Sequence, residues 1–338
     1  MKKSISFIIP CYNEEKTIAE CIQSVIGQSY KPMEVIVVDD GSTDNSRKII
    51  SSFPGVKLIA LEKNTGNKSK AIEKALTHVK GSLVAFTDAD SKIRWDFLEN
   101  AVNKFDDPKV GAVSGKVISN ENNLVTGARQ LEYTISQDLH KKGQNVLGSI
   151  FVIPGCAAVY RKSLLDSLTL DHDTVTEDLD LTIKTHKSGM RIVYEPKAVV
   201  YTNDPFDLVS YIKQTRRWYQ GTFQNLKKHK DIIGKGFLGK VELPIMFFEN
   251  IFFGLFYLAL PVLFYIAPEL TSIVLLVDLV TIILISLYSS IRLKRYSLIF
   301  SIPVFYLMKV LQNIVWFHAM LTVLVFNKFE MVWHRADR

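Results

Sequence analysis

A doubly wound α/β domain leading into a hydrophobic helical tail is the fold class this sequence predicts. Three observations predict it. Short β-branched runs alternate with helix-period segments through residues 1–90. Acidic residues stand directly after two of those runs, at 39–40 and 88–90. Beyond residue 240 the chain turns almost continuously apolar.

The charged start Met1-Lys2-Lys3 resembles that of a signal peptide, but the apolar run Phe7-Ile8-Ile9 stops at Pro10, short of an h-region. Residues 4–9 therefore read as a strand. Residues 14–26 have helical spacing, with Ile18, Cys21, Ile22, Val25 and Ile26 on one face. Val35-Ile36-Val37-Val38 is the continuous β-branched run of a parallel strand buried on both faces. Gly41-Ser42-Thr43-Asp44 turns into a helix through Ile50, and strands at 56–61 and 83–86 flank a helix at 69–79. This βαβαβαβ order gives the doubly wound sheet. Ligands of such sheets lie beyond the carboxyl ends of the strands, where Asp39-Asp40 and Asp88-Ala89-Asp90 fall.

The middle is less regular. Residues 111–118 and 155–160 read as strands, and 131–146 as a helix with apolar and polar faces. Residues 207–228 read as a long amphipathic helix whose Tyr, Trp, Lys and Arg content suits a membrane interface. The tail holds apolar segments at 243–267, 270–291 and 298–326. Each is long enough for a hydrocarbon core of about 30 Å. Pro268-Glu269 makes the first two a hairpin, and Lys309, Gln312 and Asn313 leave the third either crossing or re-entrant. Two domains result, a cytosolic one at 1–240 with its interfacial helices and a membrane region of two to three helices at 241–338.

The net charge is +7. No early basic run is interleaved with aromatics, so nucleic acid is not the expected partner. The basic cluster Lys227-Lys228-His229-Lys230, with Lys235 and Lys240, precedes the tail, and Arg292, Lys294 and Arg295 follow its second segment. Both place the first domain on the cytoplasmic side of a multi-pass plasma-membrane protein, and Trp333-His334-Arg335 reads as cytoplasmic too. Cys11, Cys21 and Cys156 form neither a metal pair nor a disulfide framework, as in a reducing compartment.

Asp88 and Asp90, two residues apart after a strand, suit a hard cation such as Mg²⁺ or Mn²⁺ with phosphate oxygens, or else form a solvated turn. Asp40 suits a base or ribose, or a helix cap. Lys68 follows Asn64-Thr65-Gly66-Asn67 and suits phosphate, or is a solvated turn residue. Asp178, in Thr176-Glu177-Asp178, suits a general base, or with Glu177 and Asp180 complements a helix dipole. Gln214, Arg217 and Trp218 share one helix face, with an Arg fork for phosphate and an indole platform for a sugar, or form a membrane belt. Glu249, Asp278 and Lys309 lie inside apolar segments, either as functional groups or paired between helices.

Taken in order, Pro10-x-Tyr12-Asn13-Glu14, Asp39-Asp40-Gly41-Ser42, Gly66-Asn67-Lys68-x-x-Ala71, Asp88-x-Asp90, Thr176-Glu177-Asp178 and Gln214-x-x-Arg217-Trp218 resemble the family-2 glycosyltransferases. Within them the sequence is similar to the membrane branch of cellulose, chitin, hyaluronan and poly-N-acetylglucosamine synthases. The resemblance covers residues 4 to about 230. It implies a GT-A fold and an inverting transfer from a nucleotide sugar, UDP-N-acetylglucosamine or UDP-glucose, to a growing polysaccharide. It places Tyr12, Glu14, Asp40, Lys68 and Asp88 on the nucleotide sugar and Asp90, with Asp88, on the metal. It makes Asp178 the base, puts Gln214 and Arg217 at the diphosphate, and assigns Trp218 and Cys156 to the acceptor. Those synthases usually carry transmembrane helices before the catalytic domain, whereas this chain opens on its first strand. With only two or three segments, a full export channel from one chain is not expected, and a homo-oligomer or partner subunit would complete the path. Single transfer to a membrane lipid is the alternative, and a non-catalytic nucleotide-sugar-binding regulator is a third reading.

Overall fold

The structure, a computed structural model, describes residues 3–120 and 122–328. Met1, Lys2 and the Trp333-His334-Arg335 end lie outside the described residues.

In chain order the elements are β1 (Ile5–Cys11), α1 (Ile18–Ile26), β2 (Glu34–Asp39), α2 (Ser46–Ser51), β3 (Val56–Ala60), α3 (Lys68–Leu76) and β4 (Leu83–Phe86). Then come β5 (Ser91–Ile93), α4 (Phe97–Val102), β6 (Val110–Ser119), α5 (Leu124–Tyr133), α6 (Lys141–Leu147), β7 (Ala158–Arg161), α7 (Lys162–Ser167), α8 (Glu177–Lys187) and β8 (Arg191–Thr202). The helices α9 (Leu208–Lys228), α10 (Leu243–Ile266), α11 (Pro268–Leu293) and α12 (Ile302–Met320) follow. The chain divides into two compact units, one of residues up to 118 with 141–203, the other of 119–140 with 204 onward.

The first unit is built on a mixed eight-stranded sheet of order β3-β2-β1-β4-β7-β6-β8-β5. Its leading half is parallel, with β1 between β2 and β4 and β3 outside β2. Ile5, Phe7, Ile8 and Ile9 are wholly buried because β1 is covered on both faces, as its unbroken apolar run requires. One side of the core gathers Ile8, Ile36, Val38, Ile72, Val84 and Tyr160. The trailing half adds antiparallel pairs, β4 with β7, β7 with β6 and β5 with β8. The sheet is thus the mixed, Rossmann-like sheet of a GT-A fold.

Several boundaries differ from the sequence reading. The strand read at 155–160 is a 3₁₀ turn over Gly155–Ala157 and then β7. The helix read at 131–146 begins at Leu124, passes through a π-helical stretch at Thr134–His140 and resumes as α6. Asn123 starts it with a capping box, its side chain accepting from Val125 N and Thr126 N while Thr126 Oγ1 accepts from Asn123 N. In the sequence this cap hides in a polar run that looks like a loop. The strand β8 was not legible because Pro196 interrupts it. Its pairing with β5 involves only Val200–Thr202, beyond the proline.

The second unit is helical. Ala128, Leu131, Tyr211, Ile282, Leu298, Phe305 and Met308 form its core. Asp207 caps α9 by accepting from Val209 N and Ser210 N, and α9 buries Tyr211, Gln214, Phe223 and Asn225. Ala267 alone separates α10 from α11, which opens on Pro268. Three helical spans, Leu238–Ile266, Pro268–Leu293 and Tyr296–Val325, are long and apolar enough to cross a membrane. Of the ionisable groups read inside the apolar tail, Asp278 and Lys309 pair between α11 and α12, while Glu249 is exposed on α10.

Candidate active site

In the first unit the site grows from the carboxyl ends of the parallel strands. After β1, Asn13 takes a left-handed φ of 53°. Its Oδ1 accepts from Thr43 N at 2.7 Å and its own N–H donates to Ser42 Oγ at 2.9 Å, so the β1 and β2 loops brace each other. Tyr12 beside it is half-buried. Glu14 is buried; its N–H donates to Ser46 Oγ and its carboxylate accepts from Thr17 Oγ1 at 3.0 Å, fixing the entry to α1.

After β2, Asp39 is wholly buried and accepts from Arg47 Nε at 2.8 Å. Asp40 accepts from both Thr65 N and Thr65 Oγ1 at 3.0 Å. Burial pushes the Asp40 carboxyl above its ordinary range, against the pull of those two hydrogen bonds. Gly41 sits between, with φ of 72°, and a Cβ there would come within 2.4 Å of Asn64 N. The β2 end and the 64–67 loop meet only because this position is glycine. Asp40 thus tethers the loop that delivers Lys68. Asn67 caps α3 through Ser69 N, which leaves Lys68 in the first helical position.

Lys68 is the centre of the arrangement. Its ammonium lies 2.5 Å from Asp88 Oδ1, at the end of β4, and 3.2 Å from Glu177 Oε1, at the start of α8. Burial works against its charge, but Asp88 and Glu177 outweigh that and hold its pKa well above the ordinary lysine value. A Cβ placed on Gly155 would stand 3.0 Å from Lys68 Nζ, 3.7 Å from Glu177 Oε1 and 3.8 Å from Asp178 Cβ. The loop before β7, the α3 start and the α8 start therefore converge. Asp178 is half-buried in the first turn of α8, where the helix end favours negative charge. Asp90 is 8 % exposed and accepts from Ser91 Oγ at 3.1 Å. Among the described residues no group of three or more His, Cys, Asp or Glu is arranged to hold a metal ion.

Lys141 was not found from the sequence. It is buried in α6, 3.3 Å from Ser114 Oγ and 5.7 Å from the centre of the Tyr194 ring. Burial pushes its pKa down to about 8, against the opposing influence of Cys156 and Asp178. A single lysine in an amphipathic helix carries no signal that it faces inward.

In the second unit, Gln214 and Trp218 do share one face of α9, and that face meets Arg129 of α5. Arg129 Nη2 donates to Gln214 Oε1 at 2.6 Å, and its guanidinium lies 4.4 Å from the centre of the Trp218 ring. Arg129 is 3 % exposed and also pairs with Glu132 at 2.5 Å. Sequence reasoning missed Arg129 and Glu132 altogether, for the reason it missed Lys141. Arg217 is half-buried on the same helix.

Residues 6–169 match the family model of glycosyl transferase family 2. Over 255 residues, 74% of this chain, the sequence is 32% identical to the poly-β-1,6-N-acetyl-D-glucosamine synthase of Staphylococcus epidermidis. It is 30% identical over the same length to the synthase of that name from Staphylococcus aureus strain COL. The alignment spans 61% of the length of each of these curated relatives. Among solved structures the chain resembles mannosyltransferase PcManGT from Pyrobaculum calidifontis in complex with GDP-Man and Mn²⁺, with a TM-score of 0.69 and 22% identity. That likeness covers 97% of this chain and 89% of the other and bears on the fold. The family match and the curated relatives agree that residues 6–169 of this chain belong to glycosyl transferase family 2.

Proposed function

We propose that the protein is an inverting membrane glycosyltransferase that moves a sugar from UDP-N-acetylglucosamine or UDP-glucose to a growing polysaccharide. The observation that carries the reading is the Lys68 cluster, which gathers a cation, the β4-end carboxylate Asp88 and the α8 start beside Asp178. The 32% identity to a poly-β-1,6-N-acetyl-D-glucosamine synthase supports the donor and acceptor class.

In this reading the acceptor hydroxyl oxygen bonds to the anomeric carbon as the bond from that carbon to the diphosphate oxygen breaks. Asp178 takes the hydroxyl proton. In-line displacement needs the acceptor held on the face opposite the leaving group. Lys68 supplies positive charge to the departing diphosphate. Tyr12, Asp40, Lys68 and Asp88 are assigned to the nucleotide sugar. Glu14, whose carboxylate accepts from Thr17 beside the loop of Tyr12, is assigned to the nucleotide sugar as well. On their order along the chain, Gln214 and Arg217 are assigned to the diphosphate, and Trp218 and Cys156 to the acceptor.

Asp88 and Asp90 fit Mg²⁺ or Mn²⁺. Both offer only oxygen, and such ions commonly take one or two carboxylates plus water and phosphate oxygens rather than a full protein cage. When bound there, the ion supplies charge neutralisation at the diphosphate.

Two or three of the apolar helices are assigned to crossing the bilayer, with the catalytic domain in the cytoplasm. Lys235 and Lys240 before α10, and Arg292, Lys294 and Arg295 after α11, flank the same end of that hairpin. A homo-oligomer or partner subunit completes an export path. The test is incubation of purified membranes with labelled UDP-N-acetylglucosamine and UDP-glucose. Label in a long chain is expected. Label confined to a single-sugar lipid would replace the polymer reading with lipid glycosylation, and no transfer from any nucleotide sugar would overturn the enzyme reading.

A further inference from the structure

We propose that Arg129 is a positioning residue that fixes the Gln214 carboxamide with its NH₂ group turned outward and covers one face of the Trp218 indole, leaving the other face as the sugar platform. The inference rests on the roles given to Gln214 and Trp218 above. Arginine has donors and no acceptor. The 2.6 Å contact from Arg129 Nη2 is therefore possible only with Gln214 Oε1 facing it. The amide NH₂ must then face away, as a donor suited to phosphate or sugar oxygen.

Arg129 is itself held from several sides. Glu132 accepts from Nη1 at 2.5 Å, and Asp204 Oδ1 lies 3.5 Å from Nε. The rings of Tyr211 and Tyr133 lie 5.0 and 5.4 Å from its guanidinium carbon. The partners are fixed in turn. Glu132 Oε1 accepts from Tyr211 Oη at 2.5 Å and from Gln312 Nε2 at 2.7 Å, while Asp204 accepts from Tyr133 Oη at 3.0 Å. A planar fork clamped by two carboxylates cannot rotate, so neither can the amide and indole that rest on it. A lysine would keep the charge and lose the second arm.

The discriminating variant is Gln214→Glu. It keeps an oxygen for Arg129, so the fold persists, and it replaces the outward NH₂ with an anionic oxygen. With whichever of UDP-N-acetylglucosamine, UDP-glucose or GDP-mannose the wild-type enzyme turns over, kcat/KM is expected to fall by about a hundredfold or more while Tm is unchanged or higher. Arg129→Lys is expected to lose about tenfold or more, and Arg129→Lys combined with Gln214→Ala to lose clearly less than the product of the two single losses. Full activity in Gln214→Glu, full activity in Arg129→Lys, or losses that multiply in the double variant would overturn the proposal. Failure of the wild type on every donor would instead overturn the function on which it rests.

Discussion

Lys68 Nζ lies 2.5 Å from Asp88 Oδ1, so the first residue of α3 neutralises the carboxylate at the end of β4. That relationship depends on a second strand end. Asp40, directly after β2, holds Thr65 by two hydrogen bonds and so sets where the loop before Lys68 can go. Three residues distant in sequence thereby meet at one edge, which the proposed function assigns to the donor. Substituting Lys68 by Met should weaken UDP binding by about tenfold or more, the scale of a charge-assisted contact to phosphate. Titration calorimetry on the purified protein measures this directly. UDP affinity within about twofold of wild type would remove Lys68 from the donor site.

Asp178 is the half-buried carboxylate that the α8 start brings beside Gly155. In the proposed role as base it would matter for proton removal and not for holding the nucleotide. Asp178→Asn keeps the shape and loses the proton acceptor, so transfer should drop by about a hundredfold or more while UDP still binds. Turnover near wild type would end the assignment. Loss of UDP binding along with turnover would move Asp178 to the donor.

How much of this was legible follows a physical line. The strands β1, β2 and β4 announce themselves because a strand buried on both faces must be apolar at every position. Asp40, Lys68, Asp88 and Asp178 stand at element ends, where short polar motifs survive as local signals. Arg129 and Lys141 were hidden because burial of a charge is decided by distant partners. Arg129 reaches Gln214 85 residues away, and Glu132 is joined by Gln312 from α12. No window of sequence contains both members of such a pair. Glu14 carries a contact its motif does not show, a carboxylate that accepts from Thr17.

Lys141 should give the protein a stability profile that changes with alkaline pH. Its folded pKa is about 8 against an ordinary 10.5. Between those values the unfolded chain binds more protons than the folded one, so stability rises as pH increases. Below about pH 8 both states keep the proton, and the cost of burying the charge is present in full. Lys141→Met removes that cost at every pH. The advantage of the variant over wild type should therefore be largest near neutral pH and shrink towards about pH 10, by at most about 3 kcal/mol. Denaturant melts of both proteins across that range measure it, and a difference that does not vary with pH would contradict the burial of a charged Lys141.

Asp278 and Lys309 form an ion pair between α11 and α12, and Tyr257 of α10 donates to the same aspartate at 3.1 Å. Lys309 Nζ also lies 4.8 Å from the centre of the Phe253 ring. Three apolar helices thus share one polar knot. A charge in hydrocarbon is costly, and a lone one costs more than a pair. Removing one partner should therefore be worse than removing both. Asp278→Leu or Lys309→Leu alone should destabilise by about 3–5 kcal/mol, because each strands a charge. The double variant Asp278→Leu with Lys309→Leu should lie close to wild type, since apolar packing replaces the pair without leaving an unmatched ion. Thermal melts in detergent micelles of all four proteins give the comparison. Single variants as stable as wild type would mean the pair is solvated, and a double variant as damaged as the singles would mean that its hydrogen bonds, not its charge balance, hold α10, α11 and α12 together.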